Sequence, residues 1–369
     1  MAKRRSKVAE AAEAVQDYET TPKPEKEAIS KICVGSGSTL LNLAITGNID
    51  DGFPQGTVIL LVGDSSSGKT FLSLTCCAEA VLKRDFDGYA FIYDDVENGC
   101  MMDVGRFFGT GVLSRLKAPR YIDNIPTHSD TAEECYMNIL ENIKHGPCIY
   151  IVDSLDALSS KAEEKKNTER LKARGTAAEA KIKGDYGDGK AAINSRRLRA
   201  VARAARNNGS IVVLIAQTRD NIDPFSFETR TRSGGRALKF YSHVELWSSV
   251  GGRAKQTVRG QEVIVGIRSL IRVKKNRITG REWDVEVPIY YDYGIDDIGG
   301  MIDFLIKWDH WTQNGKTIST KEFGYSGTRR NLIKHIEQEG LRRELQIIVR
   351  DIWSEIEAAT KQNRKARYA

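Results

Sequence analysis

Two glycines five positions apart, followed at once by a lysine and a hydroxyl, stand in the run Gly63-Asp64-Ser65-Ser66-Ser67-Gly68-Lys69-Thr70. These residue types suit a phosphate chain. Gly63 and Gly68 let main-chain N–H groups wrap an anion, with Asp64, Ser65, Ser66 and Ser67 forming the loop between them. Lys69 can reach β and γ oxygens, and the Thr70 hydroxyl can hold Mg²⁺. The run TVILLV before the loop reads as a strand and FLSLTCCAEAVL after it as a helix, whose dipole adds positive potential at the phosphate. ATP with Mg²⁺ is the ligand this arrangement implies.

Further acids and amides lie at the ends of other apolar runs. CIYIVDS ends in Asp153, placed to bind Mg²⁺ through water. YAFIYDDVENG supplies Asp94, Asp95 and Glu97; Glu97 has the longest reach and is the first choice to activate water, with Asp94 or Asp95 as the fallback. Gln217 ends SIVVLIAQ, where an amide could report the γ-phosphate or simply close a strand.

The surroundings of these residues are basic. Residues 161–206 hold 14 Lys or Arg against 6 Asp or Glu, a local excess of 8 that exceeds the net charge of +7 for the whole chain. Within SRRLRAVARAAR, Arg196, Arg199, Arg203 and Arg206 share one helical face, and Leu198, Val201, Ala202 and Ala205 the other. This predicts a track for nucleic-acid phosphates, the alternative being a solvated surface. Ahead of it, KGDYGDGKAA spaces Gly184, Gly187 and Gly189 as a loop, about residues 184–192. A second loop, about 219–235, mixes Arg219, Arg230, Arg232 and, just beyond, Arg236 with Phe225, Phe227 and the pair Gly234-Gly235. Arginines bind a sugar-phosphate backbone and aromatics stack on bases. Because this loop starts beside Gln217, its order can depend on nucleotide.

The elements that must position these groups alternate. From Ile29 to about Asp292, apolar β-rich runs alternate with helical stretches, which predicts an α/β core with a mainly parallel sheet buried on both faces. The last runs, HVELWSS, SLIRVKK and WDVEVPIYY, follow one another without helices and predict an antiparallel extension at one edge. Residues 1–28 read as a charged tail or short helix, 29–292 as the core, and 293–369 as a small, mostly helical C-terminal domain with a basic end. At 369 residues the chain has ample length for such a core. Its six cysteines include no CxxC pair and are expected to be reduced core thiols. No apolar run reaches membrane-spanning length and no signal-peptide pattern opens the chain, so the expectation is a soluble cytoplasmic protein with no membrane partner.

Taken together, these pieces resemble the RecA family of homologous-recombination ATPases, including phage UvsX-type recombinases, over about residues 29–295. IVDSLDALSSKAE resembles the family's second strand and its exit, GDYGDGKAA with the arginine helix its first DNA loop, and IAQTRD through SGGRALKFY its second. The spacing from Glu97-Asn98-Gly99 to Arg106-Phe107-Phe108-Gly109 also matches and favours Glu97 as the catalytic carboxylate. The resemblance implies that Arg196, Arg203, Gly234 and Gly235 contact the DNA backbone, and that Lys275 and Arg277 reach the ATP of a neighbouring subunit. It also implies a helical filament on single-stranded DNA that pairs with homologous duplex, with a loader or single-strand-binding protein as a further partner. If the chain is phage-encoded, its place would be the host cytoplasm or nucleoid. Two positions depart from the family: Val104 stands where bacterial RecA often has a tyrosine against adenine, and Ala191 where a bulkier wedge is usual. A hexameric RecA-fold helicase and a weakly hydrolysing recombination mediator are the alternative readings.

Overall fold

Strands with almost no polar residue must be covered on both faces, and the central strands here are of that kind. The computed structural model describes residues 32–174, 190–220, 230–232, 235–362 and 364. By contacts the chain divides into Met1–Ile32 and Cys33–Ala369, and the architecture below is that of the second unit. The expected tail at 1–28 lies outside the described residues, as do Gly184, Gly187, Gly189, Phe225, Phe227 and Gly234.

One ten-stranded sheet dominates. In chain order its strands are β1 (Val58–Gly63), β2 (Ala90–Asp95), β3 (Leu116–Lys117), β4 (Cys148–Asp153), β5 (Ile211–Asp220), β6 (Arg230–Arg232), β7 (Val244–Val258), β8 (Gln261–Asn276), β9 (Asp284–Tyr290) and β10 (Gly294–Ile295). Across the sheet they run β10-β9-β8-β7-β1-β5-β4-β2-β3, with β6 paired to β5. The pairings from β7 to β3 are parallel. Those from β7 to β10 are antiparallel, as the run of strands without helices predicted.

The two faces sort by alternate residues. Ile59, Leu61, Ile149, Ile151, Val213 and Ile215 enter one core, with α1 (Thr39–Thr46) and α2 (Lys69–Val81). Leu60, Val62, Tyr150, Val152, Val212 and Leu214 enter the other. On the first face, short helices α3 (Val104–Phe108) and α4 (Thr110–Arg115) bring Phe108 and Val112. On the second, α5 (Ala132–His145) contributes Tyr136 and Ile139. The helix α6 (Lys161–Ala173) begins with a Ser160–Glu163 capping box. The helix α7 (Lys190–Asn208) turns Leu198, Val201 and Ala205 inward, and α8 (Arg236–Tyr241) adds Ala237 and Leu238. Burying Leu198 and Val201 stabilises by about 1.5–3 kcal/mol each, which fixes the rotation of α7 and forces Arg196, Arg199, Arg203 and Arg206 to solvent.

Beyond β10 come α9 (Asp297–Lys307), a three-stranded antiparallel sheet of β11 (Thr312–Asn314), β12 (Thr317–Thr320) and β13 (Tyr325–Thr328), then α10 (Arg329–Gln338) and α11 (Arg342–Ala359). The small sheet adds strands to a region read as helical. Met301, Leu305, Leu345, Val349 and Trp353 join the same core cluster as Leu41 and Ile271, so this region has no separate core. Trp353 lies 4.2 Å from Trp283 and 5.6 Å from Phe304, centroid to centroid.

The expected loops are shorter than read from sequence. Lys190–Ala192 belong to the first turn of α7, and Arg219 lies in β5. Arg230–Arg232 form β6, pairing Arg230 with Asp220, Thr231 with Arg219 and Arg232 with Thr218. Cross-strand hydrogen bonding orders these polar residues where hydrophobic pattern could not. All six cysteines are free thiols, five of them buried. Among the described residues no helix is long and apolar enough to cross a membrane.

Candidate nucleotide site and nucleic-acid interface

The phosphate loop joins β1 to α2 and needs both its glycines. A Cβ on Gly63 would lie 2.2 Å from Ser248 Oγ and 2.4 Å from Ser248 O on neighbouring β7. Gly68 has φ of 91° and caps α2. Ser67 is buried: its Oγ donates to the Asp64 carbonyl at 2.8 Å and lies 2.8 Å from Ser248 Oγ, while its carbonyl accepts from Ser269 Oγ at 2.7 Å. Ser65 and Ser66 are exposed at the loop apex. Lys69 is 8% exposed and its Nζ donates to the Asp64 carbonyl at 2.6 Å. Burial draws the Lys69 ammonium below its ordinary pKa, and the carboxylates of Asp153, Glu97, Asp64 and Asp156 oppose that shift. The loop's cation thus stands in a field of acids with a neutral carbonyl as its hydrogen-bond partner, which an anion could replace.

Asp153 ends β4 beside β2. Its Oδ2 accepts from Thr70 Oγ1 at 2.5 Å and from Tyr93 OH at 3.0 Å. Burial raises the Asp153 carboxyl above its ordinary pKa; the Thr70 and Tyr93 bonds oppose this, and Glu97 and Asp95 add to it. A cation at these oxygens would relieve that cost. Among the described residues no group of three or more His, Cys, Asp or Glu could hold a metal. One hydroxyl and one carboxylate beside a phosphate loop fit Mg²⁺, which takes one or two protein oxygens and completes its shell with phosphate and water.

The three acids after β2 separate by geometry. Asp94 is fully buried and accepts from Ser129 N at 2.9 Å, Ser129 Oγ at 2.6 Å and Tyr150 OH at 3.1 Å. Asp95 accepts from the N–H groups of Gly99 and Cys100, both at 3.1 Å, and so shapes the turn. Both fallback candidates are therefore structural. Glu97 Oε1 instead accepts from Ser154 Oγ and, at 2.9 Å, from Gln217 Nε2. Gln217 is thus joined directly to the acid first chosen for water activation.

Sequence reasoning missed Tyr93, Ser154, Thr218 and Asp156. Asp156 accepts the Gln217 N–H at 2.6 Å, and Thr218 Oγ1 donates to Asp64 Oδ1. Polarity in the run Asp153-Ser154-Leu155-Asp156, directly past a buried strand, was the available signal.

The basic residues fall into distinct environments. Arg196 and Arg203 are exposed on α7, and Arg199 Nε donates to Tyr241 OH at 3.1 Å. Arg236 is exposed at the start of α8. Arg230 pairs with Asp64, and Arg219 Nη2 lies 3.4 Å from Asp156 Oδ1. Arg232 departs from the expectation of a DNA contact: its side chain is only 9% exposed, pairs with buried Glu245 at 3.1 Å and donates to the Gly235 carbonyl at 3.0 Å. Gly235 caps α8 with φ of 76°, and a Cβ there would lie 2.9 Å from Ala191 Cβ. Glycine at 235 therefore leaves room for Ala191 at the start of α7. Val104, the other departing position, packs against the first core.

Lys275 and Arg277, at the end of β8, converge on the C-terminal carbonyls of α8. Lys275 Nζ donates to Lys239 O and, at 2.6 Å, to Ser242 O; Arg277 Nη2 donates to Phe240 O at 2.8 Å. Burial, then the Arg277 charge, push the Lys275 ammonium down to about 8.

A strand, a glycine-bounded phosphate loop, a helix N-terminus and an acid ending the second strand over define the class of P-loop nucleotide-binding α/β proteins. Within that class, the RecA N-terminal domain family matches residues 22–296, and the chain belongs to the RecA family. It is 28% identical over 319 residues to Protein RecA of Clostridioides difficile (strain 630), covering 85% of this chain and 80% of that one. Protein RecA of Bacillus mycoides (strain KBAB4) is 30% identical over 324 residues, 86% of this chain and 83% of its own. That of Rippkaea orientalis is 28% identical over 311 residues, 82% and 78%.

Proposed function

We propose that this protein is an ATP-dependent DNA recombinase of the cytoplasm that polymerises on single-stranded DNA and catalyses homologous pairing and strand exchange. The observation that carries the reading is the Gln217–Glu97 bond: the residue that opens the second loop touches the acid of the hydrolytic site. The Gly63–Thr70 loop binds the ATP phosphates, with Lys69 on the β and γ oxygens. Thr70 and Asp153 would hold Mg²⁺, which would supply charge neutralisation on the phosphates. Glu97 accepts a proton from water as its oxygen attacks the γ-phosphorus and the bond to the bridging oxygen of the leaving ADP breaks. Lys275 and Arg277 leave the α8 carbonyls to neutralise γ-phosphate charge across a subunit interface, making hydrolysis depend on assembly. Arg196, Arg203, Arg219, Arg230, Arg236 and the Gly234-Gly235 backbone form the DNA path. Duplex DNA and a loader or single-strand-binding protein are the further partners.

Imaging the protein with single-stranded DNA and a non-hydrolysable ATP analogue tests this. Extended helical filaments, absent with Lys69→Ala, are the expected result. Closed rings, or normal strand exchange by Lys69→Ala, would overturn the reading.

A further inference from the structure

The stem of the second loop is held by acids that belong to the nucleotide loops. Asp64, inside the phosphate loop, receives Thr218 Oγ1 on one carboxylate oxygen and Arg230 Nη1 on the other. Asp156, just past the Mg²⁺-side acid, receives the Gln217 N–H and Arg219. Arg219 on β5 and Arg230 on β6 thus both carry an intramolecular counter-ion from the nucleotide loops. Their side chains are 61% and 50% exposed, so an outside phosphate can reach them without unfolding. It must, however, displace a carboxylate that loses its partner. The Arg230 guanidinium, followed by the Thr218 hydroxyl, holds the Asp64 carboxyl below its ordinary pKa, so this counter-ion is charged at neutral pH.

We infer that Asp64 and Asp156 restrain DNA binding by the second-loop stem, and that Asp64 ties the restraint to the nucleotide. The inference rests on the recombinase reading. The tie is the main chain of Asp64 itself. Its carbonyl accepts from Lys69 Nζ at 2.6 Å, the same ammonium that a γ-phosphate draws away. When that bond goes, the peptide that aims the Asp64 carboxylate at Thr218 and Arg230 loses an anchor, and Arg230 passes to DNA phosphate. Linkage makes the effect reciprocal: DNA that takes Arg230 changes nucleotide affinity by the same factor. Asp64 acts through Arg230 and Thr218 and is a positioning residue, not a catalytic one.

The test uses the full chain with Asp64→Asn and, separately, Asp156→Asn. Binding of labelled oligo-dT is measured with and without a non-hydrolysable ATP analogue, with nucleotide affinity measured alongside and hydrogen exchange followed at residues 217–219 and 230–232. For partly exposed ion pairs, each variant should bind oligo-dT about two- to fivefold more tightly without nucleotide. Asp64→Asn should also narrow the ratio between the two conditions and speed exchange in the stem. Unchanged or weaker DNA affinity in both variants, with stem exchange as in the wild type, overturns the inference. If the wild type itself binds no single-stranded DNA, the recombinase reading fails, and stem exchange in Asp64→Asn alone decides the restraint. Should Asp64→Asn not fold, Thr218→Val with Asp156→Asn carries the same expectations.

Discussion

On the nucleotide side, at the ends of central strands, Lys69 and Asp153 are each 8% exposed, Lys69 engaged by the Asp64 carbonyl of the phosphate loop and Asp153 by Thr70 at the start of α2. On the proposed nucleic-acid side, Arg196 and Arg203 face solvent on one helix, and Arg219 and Arg230 face it on a stem whose acids belong to the first side. The contrast separates two ways of using charge. Chemistry at a phosphate needs groups whose positions are fixed and whose solvation has been removed. Binding a long polyanion needs accessible cations in number, each contributing little.

If the two sides are separable, Glu97→Gln should break one and spare the other. If Glu97 is the general base as proposed, loss of its carboxylate should lower ATP turnover by about 10²–10⁴-fold while DNA binding in the presence of ATP persists. Parallel loss of DNA affinity would show that Glu97 is part of the DNA-competent geometry. The converse variant, Arg196→Ala with Arg203→Ala, should leave ATP affinity in place. It should lower the slope of log K for single-stranded DNA against log salt by about 0.7 per residue removed; an unchanged slope would make that face of α7 an ordinary solvated surface.

Lys275 stands between the sides, and pH sharpens the comparison there. Its pKa of about 8 lies below the usual lysine value of about 10.4. Between these values the unfolded chain holds a proton that the folded chain has lost, so this group's contribution to stability grows as pH rises through that window and is absent below it. Assembly that needs a charged Lys275 runs the other way. Above about pH 8 each pH unit should weaken nucleotide-dependent assembly by up to about tenfold, and Lys275→Arg should flatten the profile. Light scattering or sedimentation across pH 7 to 9.5 reads the effect directly; identical profiles would exclude Lys275 from the interface.

The comparison also explains what was legible in the sequence. β1, β4 and the buried part of β5 are short apolar runs with polar residues at their ends, so pattern and motif agreed on Lys69, Thr70 and Asp153 as candidates, and the structure joins Thr70 to Asp153. The inward stripe of α7 was equally plain. What stayed hidden depends on polar pairing. β6 is Arg-Thr-Arg, ordered by β5 and by the Arg232–Glu245 pair, neither of which a local window contains. The outer halves of β7 and β8 expose Val258, Val263 and Ile264, so neither face shows alternation. The C-terminal hairpin did leave a signal, Asn314-Gly315, of the kind that marks a tight turn. Counter-ion roles such as those of Asp64 and Asp156 are invisible at this level, because an acid beside a phosphate loop has no local signature.

The contact between Ala191 and Gly235 has a consequence for anyone who would redesign this protein. The first loop is anchored at the start of α7 and the second at the start of α8, and these anchors touch through the two smallest side chains available. A larger residue at Gly235, whose added Cβ would lie 2.9 Å from Ala191 Cβ, must therefore push the root of the first loop. Grafting a foreign segment into the second loop should keep that glycine.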